Sequence, residues 1–237
     1  CGRKSVYFSL YCKKIFKNLI NIHIQNPKIS SKNFNFVISP NHDNLNGDNI
    51  INSIGALHHL NINNERVNQN LVTCIIGGDN QHYHFNNNEA NVLCNKLIEI
   101  KNNQKNIELN IVTSRRTSNT VKKILIEKLK NIAKIWTGEG KNPYIESIQK
   151  SSFFIVTSDS TSMISEAAIS GKPIYVYHLT FKRKSKRIEN FHREFSELGI
   201  TKDIINFNHL TDWSYDSLNE SERIAIIIKK KIIKENI

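Results

Sequence analysis

From residue 71 onward the sequence predicts a Rossmann-like α/β domain, a parallel sheet with flanking helices, and three observations carry that expectation. Short β-branched runs alternate with longer segments of helical period, several helix boundaries carry their own capping chemistry, and each strand-like run ends in small, polar or cationic residues. Taken in order, strands are expected at 71–76, 107–113, 132–136, 153–157 and 174–177. Helices are expected between them at 88–100, 118–129, 143–150 and 162–170. Asn142 before Pro143 suits an N-cap followed by proline at the first helical position, and Gly171-Lys172-Pro173 stops the preceding helix.

Upstream, residues 34–39 read as another strand, ending in the polar loop 40–49 and followed by the segment 50–57, which looks like the tail of a separate unit. The predicted organisation is a remnant of an amino-terminal α/β domain over 1–60, a linker over the Asn-rich stretch 61–70, the Rossmann-like domain over 71–207 and a helical extension over 208–237. A basic helix is expected from residue 219.

The 237 residues are 39% hydrophobic and 23% charged and hold no long apolar run, so they read as a soluble globular chain rather than a membrane-spanning one. The four cysteines show no metal-ligand or redox spacing and read as reduced structural thiols. Lys and Arg outnumber Asp and Glu by 33 to 21, a formal charge of +12 that favours anionic partners: nucleotide phosphates, anionic lipid or nucleic acid. The abundance of Asn, Ile and Lys fits an A- and T-rich coding bias, which makes part of that basicity compositional. The chain starts at Cys1 with no signal segment before it and reads as a fragment lacking an amino-terminal portion; a processed lipoprotein beginning Cys1-Gly2 is the alternative.

In parallel α/β sheets ligands sit beyond the carboxyl ends of the strands. After the first expected strand comes Gly77-Gly78, whose backbone amides could approach a phosphate closely; a tight turn before a helix explains the pair equally. After the second come Arg115 and Arg116, whose planar forks suit phosphate or carboxylate unless they pair with Glu139 or Asp159. After the fourth comes Ser158-Asp159-Ser160-Thr161-Ser162, opening a helix on which Ser162 and Glu166 share a face while Met163 and Ala167 can pack on the sheet. Ser160, Thr161 and Ser162 would hold phosphates and Glu166 the ribose hydroxyls; in isolation an ordinary cap and a solvated carboxylate explain them.

The run 182–187, with Lys182, Arg183, Lys186 and Arg187, is a solvated surface or a contact for phosphate or anionic membrane. His42 and Asp43 could form an acid/base pair, although adjacent residues rarely face each other. The histidines at 58, 59, 82 and 84 lack companion ligands, so no metal site is expected.

Pro40 to Asp43 with Gly47, Asn49 and Gly55-Ala56-Leu57-His58, then Gly77-Gly78, Ser114-Arg115-Arg116-Thr117, Trp136 to Gly140 with Asn142-Pro143-Tyr144, and Thr157 to Ala167 with Gly171-Lys172-Pro173, follow in an order that resembles the mitochondrial-fission Elm-like family. The resemblance runs from about residue 34 to about residue 200. It implies a two-domain GT-B-like architecture of which 71–207 is the carboxy-terminal domain. It also implies similarity of 157–173 to the nucleotide-sugar helix of the murein N-acetylglucosaminyltransferase.

On that comparison Glu166 matches a ribose-binding glutamate, Ser160 to Ser162 a phosphate-side helix start and Gly77-Gly78 a glycine loop beside the diphosphate. The implied function is binding of a nucleoside-diphosphate sugar, with transfer to an envelope or membrane-associated acceptor and His42 or Asp43 as base. A non-catalytic, membrane-associated adaptor is the alternative. No further cofactor and no nucleic acid are expected. The expected location is cytoplasmic, touching the inner membrane face, with an organelle surface as the alternative drawn from the family.

Overall fold

A computed structural model describes residues 3–61 and 67–235. The Cys1-Gly2 start and the middle of the expected linker, 62–66, lie outside the described residues. The chain divides into two compact units, one formed by residues up to His59 together with those from Asn219, the other by Leu60–Leu218.

The first unit opens with helix α1 (Arg3–Ile15) and a parallel three-stranded sheet of β1 (Ile22–Ile24), β2 (Phe36–Pro40) and β3 (Ile50–Ser53), in the order β1-β2-β3. Every residue of β2 is buried, as its central place requires. Phe36 and Ile38 pack with Ile51, while Val37 packs with Phe34 and Val6.

The second unit alternates β4 (Asn68–Ile76), α2 (Asn87–Asn103), β5 (Glu108–Thr113), α3 (Asn119–Leu129), β6 (Ala133–Trp136), α4 (Tyr144–Lys150), β7 (Ser151–Thr157), α5 (Thr161–Ala168), β8 (Ile174–Tyr177), α6 (Lys186–Glu197) and β9 (Thr201–Asp203). Its sheet is wholly parallel with the order β6-β5-β4-β7-β8-β9. The chain therefore winds outward from β4 through β5 and β6, then returns to β4's other side, which creates a topological switch point between β4 and β7.

Val72, Cys74 and Ile76 of β4 join Ala90, Leu93, Cys94, Leu97 and Ile100 of α2 and Val121, Leu125 and Leu129 of α3 in one core, each helix contributing a stripe of period three to four. Asn86 accepts a hydrogen bond from the Glu89 amide at 3.1 Å and Ser118 from the Val121 amide at 3.3 Å, fixing the starts of α2 and α3. Cys12, Cys74 and Cys94 are free thiols, and burial pushes Cys94 up to about 11.

Three local expectations change. Pro143 itself stands at the cap of α4, and Asn142 accepts from the Tyr144 amide at 3.0 Å, so the capping geometry is shifted by one residue. The linker is shorter than 61–70, because β4 already begins at Asn68.

The expected extension 208–237 divides between the units. Leu218 donates its amide to Ala168, and Ser217 donates its hydroxyl to Ile169, both within the second unit. Helix α7 (Glu220–Glu235) belongs to the first: Glu220 accepts from the Ile54 amide at 2.8 Å and from Arg223 at 2.6 Å, and Ile224 packs on Phe36, Ile38 and Ile51. Helix α1, β1, α6 and β9 are additional to the elements that the sequence pattern marks.

Candidate functional site

Both strands that flank the switch point end in short polar loops. At its bottom sits Asp159, whose side chain is wholly buried. Its carboxylate accepts from the Gly78 amide at 3.0 Å and the Thr157 hydroxyl at 2.7 Å, and it pairs with Arg116 at 2.8 Å. The Gly77 amide donates to Thr157 at 2.8 Å. Burial holds the Asp159 carboxyl above its ordinary range, while Thr157, Gly78 and Arg116 act against that shift.

These bonds alter the expected roles of three residues. The Gly78 amide and one nitrogen of the Arg116 guanidinium already serve the Asp159 carboxylate, and the Gly77 amide serves the neutral Thr157 hydroxyl, so a phosphate would reach the Gly78 amide only by displacing Asp159. Close approach explains the glycines: a Cβ on Gly77 would lie 2.1 Å from Asp159 Oδ1, and one on Gly78 would lie 2.1 Å from the Arg116 carbonyl oxygen. The second obstacle is backbone and cannot rotate away. Gly78→Ala should therefore destabilise the protein by about 3 kcal/mol, the upper end of ordinary overpacking, in urea unfolding.

Beside this plug lies a cavity of about 250 Å³ at the carboxyl ends of β4, β5 and β6. Ile75 and Val112 give it apolar walls, and Arg115, Trp136, Tyr144, Met163 and Glu166 line the rest. The Tyr144 hydroxyl donates a short hydrogen bond to Glu166, and burial together with that carboxylate holds its proton far above the usual phenol range. The Trp136 indole N–H is buried with no partner among the described residues, an unused donor in the wall of a polar-mouthed cavity. Arg115 is exposed at the rim and, among the described residues, makes no ion pair.

Ser160 caps α5, its hydroxyl accepting from the Met163 amide at 3.5 Å, and Thr161 and Ser162 form the first helical turn. Met163 and Ala167 are buried while Ser162 is exposed, which leaves Glu166 one turn on in the cavity wall. The structure thus brings Arg115 and Glu166 to one cavity, with Ser160 to Ser162 at the start of the helix that carries Glu166. Trp136 and Tyr144 join them; their signal in the sequence is position, since one ends a strand and the other starts the next helix.

His42 and Asp43 lie in the first unit, in a 3-10 turn (Asn41–Asp43) directly after β2. That tight turn brings the ring nitrogen Nε2 within 3.9 Å of Asp43 Oδ1, although the two are adjacent; the His42 side chain is 1% exposed. In the basic run the Lys182 ammonium is drawn to Asp79, while Arg183, Lys186 and Arg187 are exposed and the last two begin α6.

Two parallel α/β units, the second doubly wound with a cavity at its strand ends, have a GT-B-like fold. Solved structures match that fold: a UDP-GlcNAc 2-epimerase from Methanocaldococcus jannaschii has a TM-score of 0.59 at 13% identity over 95% of this chain and 74% of its own. The S. aureus MnaA–UDP co-structure has a TM-score of 0.50 at 9% identity over 94% and 69%.

The chain belongs to the mitochondrial fission ELM1 family, which matches residues 1–232. It is 24% identical over 98% of its length to mitochondrial fission protein ELM1 of Arabidopsis thaliana, and 28% identical over 96% to an uncharacterised protein of Rickettsia prowazekii. It spans 62% of the plant protein and 77% of the bacterial one.

Proposed function

We propose that the chain binds a nucleoside-diphosphate sugar in the cavity of the second unit, and that the whole protein transfers the sugar to an envelope or membrane-associated acceptor. One observation carries the reading: a carboxylate, an unpaired guanidinium, an unpartnered indole N–H and apolar walls line a single cavity at the strand ends. Glu166 would accept from the ribose hydroxyls, its second oxygen steadied by Tyr144. Trp136, Met163 and Ile75 offer an apolar surface to a base, and Arg115 with the amino-terminal turn of α5 offers positive charge to the diphosphate.

That charge also stabilises the departing diphosphate as the glycosidic bond breaks, without a metal ion. His42, with Asp43 3.9 Å from its ring, is the base candidate for the acceptor hydroxyl. The epimerase and the UDP-bound protein that share the fold support a nucleotide-sugar ligand.

Arg115→Ala should weaken UDP binding roughly tenfold or more in calorimetric titration, since hydrogen bonds to a charged group are worth about 1.5–3 kcal/mol. The melting temperature should stay unchanged, because the side chain is exposed. Unchanged affinity would remove Arg115 from the site.

A second reading, a non-catalytic adaptor that recruits a partner, is favoured by the carboxylate of Asp159 filling the switch point where a phosphate could otherwise sit. Its expected result is no nucleotide binding at all.

A further inference from the structure

Helix α1 carries apolar side chains on two opposite faces. One face is spent inside the first unit: Val6 is buried with Phe34 and Val37, Leu10 packs beside it, and the Lys13 ammonium donates to Asn35 at 2.9 Å and Asn21 at 3.2 Å. The other face holds Tyr7, Phe8, Tyr11 and Ile15, which are 70%, 69%, 63% and 51% exposed, and Phe16 just beyond the helix is 60% exposed. At about 100° per residue, Phe8, Tyr11 and Ile15 point nearly half a turn away from Val6 and Leu10. A helix apolar on both sides is one that has something on both sides. So large a cluster of exposed aromatic groups marks an interaction surface.

Charge identifies the occupant. Lys4 and Lys14 are exposed on this face, Lys17 is exposed just past Phe16, and no Asp or Glu precedes Asp43 in the sequence. We propose that α1 lies in the headgroup layer of an anionic lipid membrane, with Tyr7, Phe8, Tyr11, Ile15 and Phe16 entering the interface and Lys4, Lys14 and Lys17 meeting lipid phosphates.

A second copy fits poorly, because a two-fold contact through this face would set lysines against lysines. Over its described residues α1 rises about 20 Å, and among the described residues no helix is long and apolar enough to cross a membrane. The helix therefore lies along the surface. It supplies both signals that stable interfacial binding needs, apolar area and positive charge. The run 182–187 supplies charge alone, since no exposed large apolar side chain lies within it.

The test is co-sedimentation of the full chain with vesicles of phosphatidylcholine alone and of equal parts phosphatidylcholine and phosphatidylglycerol. Binding to the anionic vesicles only, weakening as salt is added, is expected. Lys4→Glu/Lys14→Glu/Lys17→Glu should lower that binding on the order of 100-fold. Tyr7→Ser/Phe8→Ser/Tyr11→Ser should abolish it, with the melting temperature of both variants near wild type because all six side chains are exposed.

No sedimentation of the wild-type chain with anionic vesicles would overturn the proposal, as would equal binding to both vesicles. So would a folded charge-reversal variant that binds undiminished. A dimer in light scattering that disappears in the serine variant would overturn it in favour of a second copy.

Discussion

Asp159→Ala is expected to destabilise the protein by about 2–6 kcal/mol, about 1–3 kcal/mol for each of two buried donors that lose their acceptor, while the half-exposed Arg116 side chain turns to water. The loss is large because one carboxylate satisfies three donors at the switch point: the Gly78 amide, the Thr157 hydroxyl and Arg116. Two of those donors are themselves buried, and each would be left without an acceptor. Asp159→Asn keeps an acceptor for the amide and the hydroxyl, so its effect should be smaller.

The pH dependence separates charge from shape. Burial raises the Asp159 carboxyl above its ordinary value of 3.8, so between that value and the raised one the folded protein holds more protons than the unfolded chain. Its contribution is therefore fully present below the ordinary value and is lost as pH rises through the raised one. Urea unfolding at a series of pH values should show the wild type losing ground relative to Asp159→Asn across that window. A constant difference would mean that the carboxyl titrates alike in both states.

Glu166→Ala should weaken binding of a nucleoside diphosphate by roughly 50-fold, the equivalent of losing a charge-assisted contact to the ribose. The same change should matter much less for the 2′-deoxyribose ligand, which lacks one of the hydroxyls that the carboxylate would accept from. Glu166→Gln should fall between wild type and alanine, since it keeps one acceptor oxygen without the charge. Stability should drop by only about 1 kcal/mol in the alanine variant, from the Tyr144 hydroxyl that loses its partner. Calorimetric titration with both ligands reads the binding, and thermal melting checks the fold. An equal loss for ribose and deoxyribose ligands would place Glu166 away from the 2′-hydroxyl.

The sheet of the second unit is legible in the sequence because its central strands are apolar runs separated by helices with single apolar stripes. β9 escapes because it is only Thr201–Asp203, with no apolar run at all. α6 escapes because Lys182 to Arg187 dominate the reading of that region, while its apolar positions, Ile188, Phe191 and Phe195, sit in an otherwise polar segment. α1 escapes for the opposite reason: with apolar groups on both faces, the periodic contrast that marks a surface helix is weak.

Within the site, the rule that ligands gather beyond strand ends is enough to select Arg115 and Glu166, which share a cavity. It also selects Gly77, Gly78 and Arg116, but it does not reveal that Thr157 takes up the Gly77 amide or that Asp159 holds Arg116 and the Gly78 amide. The last of these bonds joins residues 81 apart in sequence, and it depends on β4 lying next to β7. The sequence offers Asp159 only as one of two partners for the arginines; strand order decides between them. Trp136 and Tyr144 are visible as motif residues but not as walls of a cavity, because their convergence also needs the sheet order.

Calorimetric titration of the chain with uridine, guanosine and cytidine diphosphates and their sugars tests the central claim most directly. The account predicts saturable binding that prefers one base and falls sharply in Glu166→Ala. No heat of binding across the panel, from a chain shown to be folded by its cooperative melting, would contradict it and leave the adaptor reading in its place.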